Sequence, residues 1–137
     1  MLTLTSCSGA VRLDPPDPAV NPDACDDFMA HLPATVAGQA SRDTDPASDL
    51  TAAWGDPAIT VRCGVPDPSA LAPDAQLFRI NGVSWFPEPL SAGYVFTTYQ
   101  RKTNVEVTVP DDYAPESGAV TELSDLVKNT IAPDPKA

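Results

Sequence analysis

The residue with the clearest chemistry is Cys7, which follows Leu4-Thr5-Ser6 and precedes Ser8-Gly9. This order is typical of a bacterial lipobox, where a signal peptide is cut before a cysteine that then receives lipid. A lipidated Cys7 would hold the protein on the outer face of the cell membrane, with the remaining chain outside the cytoplasm. The residues before it lack the basic and long apolar regions of a signal peptide, so we interpret them as a remnant. A free cysteine in an unfolded tail is the alternative.

The other two cysteines, Cys25 and Cys63, form an even pair. In an exported domain such a pair predicts a disulfide. Closing a loop of this length would stabilise the fold by about 4 kcal/mol in the chain-entropy model. A metal site is disfavoured because the chain has no C-x-x-C and only one histidine. A catalytic thiol would need a paired base, and export makes a free thiol unfavourable.

A second candidate site combines arginines with aromatic residues on predicted strands. Its members are Arg62, Arg79, Trp85, Tyr99 and Arg101. Arginine forks match the geometry of carboxylates and phosphates, and aromatic side chains are enriched in protein interfaces. We therefore interpret these five residues as a candidate binding face. The alternative is that the arginines pair with the chain's own plentiful acids.

Residue sets that would indicate catalysis are weak. As a catalytic base His31 would need a nucleophilic serine, and the sequence contains no G-x-S-x-G motif. The acids of the strand region could act in pairs on glycans, but each also fits a solvated strand face or turn. Those acids are Glu88, Glu106, Asp111 and Asp112. The acidic residues 43–49 lack the glycine and distal glutamate of a calcium loop. We therefore expect a protein that is not an enzyme and that uses no metal and no cofactor.

The formal net charge is −11, from 8 Lys and Arg against 19 Asp and Glu. Nucleic acid binding needs a basic patch that neutralises phosphates, so we expect no nucleic acid partner. Flat adsorption on anionic lipid is disfavoured for the same reason. The acidity itself is typical of a soluble surface.

Proline crowds both ends of the chain, at residues 14–18 and 133–135. Proline fixes φ and lacks a backbone donor, so such runs favour extended spacers. We therefore divide the chain into three parts. Residues 1–20 hold the signal-peptide remnant, the lipobox and a Pro/Asp-rich stalk; 21–131 form a single globular domain; 132–137 form a flexible tail. No stretch approaches the ~20 apolar residues of a membrane span.

Apolar spacing predicts two helices. Asn21-Pro22 is a capping pair, and the stripe after it comprises Cys25, Phe28, Met29 and Leu32. Pro33 ends that helix. A second stripe, ended by Pro133, comprises Val120, Leu123, Val127 and Ile131.

Three regions predict strands. Residues 59–63 alternate, with Cys63 on the buried face. Asn81-Gly82 between two β-prone runs predicts a type I′ hairpin that sets Phe78 opposite Trp85 and Ile80 opposite Val83. Residues 93–101 and 105–109 predict a second hairpin. Residues 34–57 are small and polar and would form either a long ordered loop or a few strands.

Together these elements predict an α+β fold. It is a small, mostly antiparallel sheet of about five strands, in two hairpins plus one strand, with two helices packed on one face. Cys25 and Cys63 both point inward in this arrangement. Their disulfide would therefore pin the first helix onto the sheet.

Four motifs in order along the chain support a family resemblance. They are Cys63-Gly64-Val65-Pro66-x-Pro68, Asn81-Gly82-Val83-x-Trp85, Phe96-Thr97-Thr98-Tyr99-x-Arg101 and Val107-x-Val109-Pro110. With these motifs the chain resembles a domain-of-unknown-function family of small secreted proteins and lipoproteins of actinobacteria, over residues 21–131. The resemblance implies an exported, membrane-anchored envelope protein. It supplies no established catalytic residues.

We therefore expect a non-enzymatic interaction module or accessory subunit of an envelope or membrane protein complex. Exposed apolar side chains at Leu77 and Phe86 would favour such docking. The alternative is a binder or weak hydrolase of cell-wall glycan or peptide material. That alternative predicts a concave pocket near Trp85 and Tyr99.

Overall fold

Most of the alternating and β-branched runs become strands in the computed structural model, which describes residues 9–69, 71–72 and 74–135. The strands are β1 (Val11–Arg12), β2 (Thr35–Val36), β3 (Gln39–Arg42), β4 (Thr44–Asp45), β5 (Thr51–Trp54), β6 (Ile59–Val65), β7 (Phe78–Ile80), β8 (Val83–Leu90), β9 (Gly93–Thr98) and β10 (Asn104–Pro110). The helices are α1 (Asp26–Ala30) and α2 (Ser117–Thr130). Two 3-10 turns, Pro22–Cys25 and Asp111–Tyr113, complete the elements.

Eight of the strands form one antiparallel sheet in the order β2-β3-β5-β6-β10-β9-β8-β7. The other two, β1 and β4, form a separate parallel pair. The predicted α+β fold with about five strands is therefore wrong, because the described chain is mostly β and its sheet has 8 strands.

The strands that the sequence did not reveal lie in residues 34–57, where the structure adopts strands rather than a long loop. β2, β3 and β5 contain 2 to 4 residues each and are rich in small side chains, so they show no alternation. β5 is nonetheless paired with β6 from Thr51↔Arg62 to Trp54↔Ile59. Backbone pairing with an ordered neighbour therefore decides strand formation here, and side-chain pattern does not.

The first helix is shorter than its apolar stripe predicts. Asn21 has a φ of 46° and makes no capping bond to the helix. Its side-chain amide instead donates to the Lys102 carbonyl oxygen at 2.6 Å. The chain then enters a 3-10 turn, which leaves α1 with only 5 residues.

The hairpin expected at Asn81-Gly82 is confirmed. The pairs Phe78↔Trp85, Arg79↔Ser84 and Ile80↔Val83 are those that a two-residue loop dictates. Asn81 and Gly82 have φ values of 51° and 86°, as a type I′ turn requires. The second hairpin is also confirmed, as β9 paired with β10.

One face of the sheet carries the core, and both helices lie on it. Val61, Val107 and Phe96 form a buried row across β6, β10 and β9. Helix α2 covers this face with Leu123 and Val127, both fully buried. No helix within the described ranges has the length and apolar character needed to cross a membrane.

The predicted disulfide between Cys25 and Cys63 is confirmed, with 6.0 Å between the two Cα atoms. Both cysteines are fully buried on the helix-bearing face. The bond ties the 3-10 turn before α1 to the middle of β6, so it fixes the first helical segment on the sheet.

The N-terminal segment expected as a stalk is extended, but from residue 9 onward it is bonded to the domain. Val11 and Leu13 donate backbone hydrogen bonds to the β4 region, and Val20 donates to Gly64 at 2.8 Å. Pro16 is buried. The C-terminal end is held in the same way, since Asp134 donates to the Gln100 carbonyl oxygen at 2.8 Å. These segments therefore extend the folded domain beyond residues 21–131, while Cys7 lies outside the described residues.

Candidate functional site

The sheet face opposite α1 and α2, which we call the open face, carries most of the polar candidates. Thr51, Arg62, Glu106 and Thr97 are aligned across β5, β6, β10 and β9 on this face. Because successive side chains of a strand point to opposite faces, these four side chains lie on the opposite side of the sheet from the buried row that contains Val61.

Arg62, the first candidate of the predicted binding face, already has partners. Its Nη1 lies 2.9 Å from Glu106 Oε1, and both side chains are largely shielded from solvent. Its Nε donates to the Asp14 carbonyl oxygen at 3.0 Å. Arg62 therefore holds the N-terminal segment on the open face and pairs with the chain's own acid.

Trp85 does not belong to the binding face, which corrects its assignment. It is fully buried on the helix-bearing face, where its Nε1 donates to Ser124 Oγ at 2.7 Å. Trp85 and Ser84 are consecutive in β8, so they point to opposite faces. Its role is to anchor α2 to the sheet.

Arg79 and Tyr99 come together at one end of the open face, whereas Arg101 is held just after α2. Arg79 Nη1 lies 3.4 Å from Ser84 Oγ. The Tyr99 backbone N–H donates to the Ser84 carbonyl oxygen at 3.2 Å. Arg79, Ser84 and Tyr99 thus form a row across β7, β8 and the chain just after β9. We call the group of Arg79, Tyr99 and Arg101 the arginine site.

Arg101 is half-buried, and its guanidinium is held by the chain just after α2. Its Nε and Nη2 donate to the Ile131 carbonyl oxygen at 2.8 and 2.6 Å, just after α2. Burial lowers the pKa of Arg101, and the positive charge of Arg79 lowers it further. Two arginines thus lie close enough to repel, and within the described ranges neither forms an ion pair with a carboxylate.

A buried polar network holds the turn that carries Tyr99 and Arg101. Asn104 Oδ1 accepts from Thr98 Oγ1 at 2.8 Å, and Asn104 Nδ2 donates to Asp67 Oδ1 at 2.8 Å. Asp67 Oδ1 also accepts from the Gln100 backbone N–H at 3.1 Å. Asn104 is only 3% exposed, and its bond to Thr98 is sheltered from water. The network joins the loop after β6 to the turn between β9 and β10.

Sequence reasoning missed both Asp67 and Asn104. Asp67 occupies the unspecified position of the C-G-V-P-x-P motif, and Asn104 follows the F-T-T-Y-x-R motif. Their bond spans 37 residues of sequence, so no local pattern marks the pair. The proximity of the two motifs in the fold is the signal that identifies it.

A small groove adjoins the arginine site. It has a volume of about 310 Å³ and is lined by Leu71, Ala72, Ala75, Leu77 and Tyr99. A larger groove of about 570 Å³ lies under Pro16–Val20 and contains Arg62, Glu88 and Glu106. The largest, about 690 Å³, lies beside β3 and β5 at the far end of the sheet.

The apolar side chains that were expected to be exposed on a docking face are partly buried. Leu77 and Phe86 both lie in the intermediate range of exposure. The most exposed large apolar residues of the described chain are instead Val20, Phe78, Leu90 and Tyr94, at 37%, 44%, 50% and 37%. Phe78 and Tyr94 lie on the helix-bearing side, where each ring is near Phe96.

Of the residues considered for catalysis, Glu88 and Glu106 both line the groove under Pro16–Val20, whereas His31 and Asp111-Asp112 lie elsewhere. His31 Nδ1 lies 2.8 Å from the Asp27 carbonyl oxygen on the exposed side of α1. Glu106 is paired with Arg62, and Asp111-Asp112 lie in an exposed 3-10 turn. No group of three or more potential metal ligands occurs among the described residues. The arrangement best suited to a ligand is therefore the arginine site, whose guanidinium N–H groups can donate to an anion.

Neither a curated protein nor a solved structure matches the chain. A family model, described as a protein of unknown function (DUF3515), matches residues 8–136. The match includes the N-terminal segment that packs along the open face as well as all the strands and helices described above. The chain therefore belongs to the uncharacterised DUF3515 family.

Proposed function

We propose that this protein is a non-enzymatic interaction module of the cell envelope, anchored by lipid on Cys7, which docks onto a membrane or envelope protein through the arginine site. The observation that carries the proposal is the pair Arg79 and Arg101. In a chain with a net charge of −11, the positive charge of Arg79 acts on Arg101, and neither arginine forms an ion pair with the described acids. Positive charge near the edge strand β7 is complementary to an acidic surface on a partner protein.

The disulfide supports an exported location. Disulfides persist in oxidising compartments and are rare in the reducing cytoplasm. The Cys25–Cys63 bond is buried between the first helical segment and β6. A domain that is built around such a bond suits folding outside the cytoplasmic membrane.

A lipid on Cys7 would give the domain a short tether. Two peptide units separate Cys7 from Gly9, so their Cα atoms are at most about 7 Å apart in any conformation. Gly9 is itself bonded to the domain, because its carbonyl oxygen accepts from Arg42 Nη2 at 2.8 Å. In the proposed anchoring the β3–β4 end of the domain therefore lies against the bilayer, without a stalk in between.

The arginine site would then face away from the membrane. β3 and β7 are separated by six steps in the sheet order, and each step is about 4.8 Å, so the two ends are roughly 30 Å apart. A partner that binds Arg79 would accordingly be one whose acidic surface stands this far above the bilayer. The geometry favours a protein over a lipid headgroup.

The experiment is an affinity capture of the lipidated protein from gently solubilised native membranes, with bound proteins identified by mass spectrometry. Arg79→Glu is the test variant, and Arg12→Glu is its charge-matched control. Arg12 is exposed at the opposite end of the domain, near Asp14 and Asp45. We expect a stoichiometric membrane protein with the wild type and the control, and its loss with Arg79→Glu.

Two results would contradict the proposal. A partner captured equally by Arg79→Glu would place docking elsewhere on the domain. Background proteins alone, in every preparation, would argue against an interaction module and favour a cell-wall ligand. Anchoring is tested separately with Cys7→Ser, which should release the folded protein from the membrane fraction.

A further inference from the structure

The groove beside Tyr99 and the side chain of Arg79 form one composite surface. Leu77 precedes β7 and lies two residues before Arg79, so both side chains point to the same side of the strand. Leu77 and Tyr99 are both half-buried walls of the groove of about 310 Å³. The groove is lined by Leu71, Ala72, Ala75, Leu77 and Tyr99, and Arg79, on the same side of the strand as Leu77, is cationic.

The hydrogen-bonding capacity of this surface is largely unused. A guanidinium has five N–H donors. Arg101 directs one from Nε and one from Nη2 to Ile131, and its other donors have no partner in the described chain. Arg79 makes a single, long bond to Ser84. The Tyr99 hydroxyl also has no hydrogen bond within the described ranges, and Tyr99 lies in the same row of the open face as Arg79.

Resting on the proposed docking function, we infer that this surface binds an acidic peptide segment of the partner protein. A carboxylate of the segment would bind Arg79, and a neighbouring apolar side chain would occupy the groove beside Tyr99. The arginine forks match the two oxygens of a carboxylate. The bound charge would also offset the repulsion between the two arginines.

A peptide fits better than a small inorganic anion. Phosphate would satisfy the guanidinium groups but would leave the groove of Leu71, Ala75 and Leu77 empty. Binding modes in which a few charges fix position and an apolar pocket adds specificity are common in peptide recognition. The chain's own nearby acid, Asp67, is already engaged by Asn104 and the Gln100 backbone.

The test is a calorimetric and NMR titration of the full domain with three synthetic peptides. The first is acetyl-Gly-Leu-Glu-Glu-Gly-amide, and the second replaces both glutamates with glutamine. The third is Gly-Leu-Ala with a free C-terminal carboxylate. It shows whether the bound carboxylate comes from an acidic side chain or from the end of a chain. Inorganic phosphate is the fourth probe.

Three variants identify the surface. Arg79→Ala removes an exposed donor, Ala75→Leu fills the groove without changing charge, and Arg12→Ala is the control for a lost positive charge elsewhere. We expect Arg79→Ala and Ala75→Leu each to weaken binding of the acidic peptide by about tenfold or more, which corresponds to losing one charge-assisted hydrogen bond or one buried side chain. Arg12→Ala should bind as the wild type does.

The inference is upheld if a carboxylate-bearing peptide binds, the glutamine peptide binds at least about tenfold more weakly, and both site variants reduce affinity. Equal binding of the glutamate and glutamine peptides would overturn it, as would phosphate binding without any peptide binding. If no peptide binds although membrane capture depends on Arg79, the docking function stands and the peptide inference fails. If neither depends on Arg79, both fail.

Discussion

Arg101 donates two hydrogen bonds to the Ile131 carbonyl oxygen, from Nε at 2.8 Å and from Nη2 at 2.6 Å. Ile131 directly follows α2 and is 1% exposed. One arginine therefore bonds the carbonyl that follows the longer helix and also carries a charge on which Arg79 acts. The stability of the fold and the candidate site share this side chain.

We expect Arg101→Ala to lower the free energy of unfolding by about 1–3 kcal/mol, because the buried Ile131 carbonyl loses its charged donor. Arg101→Lys should recover only part of this, since an ammonium lacks the planar fork. Urea unfolding of the variants measures both effects. Arg79→Ala is the control and should change stability by less than about 0.5 kcal/mol, because Arg79 is exposed. Equal stability of the two alanine variants would contradict this assignment.

Asn104 is expected to be the most sensitive polar residue near the arginine site. Asn104→Ala leaves the buried Thr98 hydroxyl and Asp67 without their partner, at a cost of about 1–3 kcal/mol in unfolding free energy. Asn104→Asp keeps an acceptor for Thr98 but sets a second carboxylate against Asp67, so it should be the less stable of the two at neutral pH.

The comparison is made by urea unfolding at pH 7 and pH 4. Protonation at low pH removes the repulsion in Asn104→Asp, so the gap between the two variants should narrow as the pH falls. Thr121→Ala, which removes an exposed hydroxyl on α2, serves as the control. A gap that is independent of pH would argue against direct contact between the two carboxylates.

The parts of the fold that sequence predicted are those set by local rules. Asn81-Gly82 dictates both the turn and the register of its hairpin, so Phe78↔Trp85 followed from two residues. That same register puts Trp85 and Ser84 on opposite faces. The assignment of Trp85 to a binding face relied on its aromatic character and was wrong for that reason.

The parts that sequence did not predict depend on distant partners. β3 and β5 lack any alternating pattern and exist because each is paired with a neighbour, β5 with β6 and β3 with β5. The partners of Arg62 and Asp67 are 44 and 37 residues away. Only the folded chain distinguishes Arg62, which forms an ion pair, from Arg79 and Arg101, which form none within the described residues.

The disulfide should supply much of the stability of this domain. It closes a sequence separation of 38 residues, for which chain entropy gives about 4 kcal/mol. We expect the double variant Cys25→Ala/Cys63→Ala to lose roughly that amount in urea unfolding, with a further loss from the cavity left by two buried sulfurs. Cys7→Ser should unfold as the wild type does. A double variant within about 1 kcal/mol of the wild type would show that packing alone holds the first helical segment.

Pro87 and Pro89 are expected to protect the sheet edge. β7 covers β8 only from Val83 to Trp85, so the remainder of β8 is an outer edge. In its ladder with β9, the tight turn after Leu90 places the two prolines at positions whose backbone nitrogen points away from β9. Proline there removes the N–H groups that another strand would need.

Replacing both prolines with threonine should therefore create an edge that pairs with a second molecule. We expect Pro87→Thr/Pro89→Thr to self-associate in sedimentation velocity at concentrations where the wild type does not change its sedimentation coefficient. Glu88→Thr is the matched control, because its N–H already faces β9 and it adds no donor to the edge. If the double variant sediments as the control does, the absence of the two proline N–H groups is not what protects the edge. The pairing of β7 with the first part of β8 is then the better explanation.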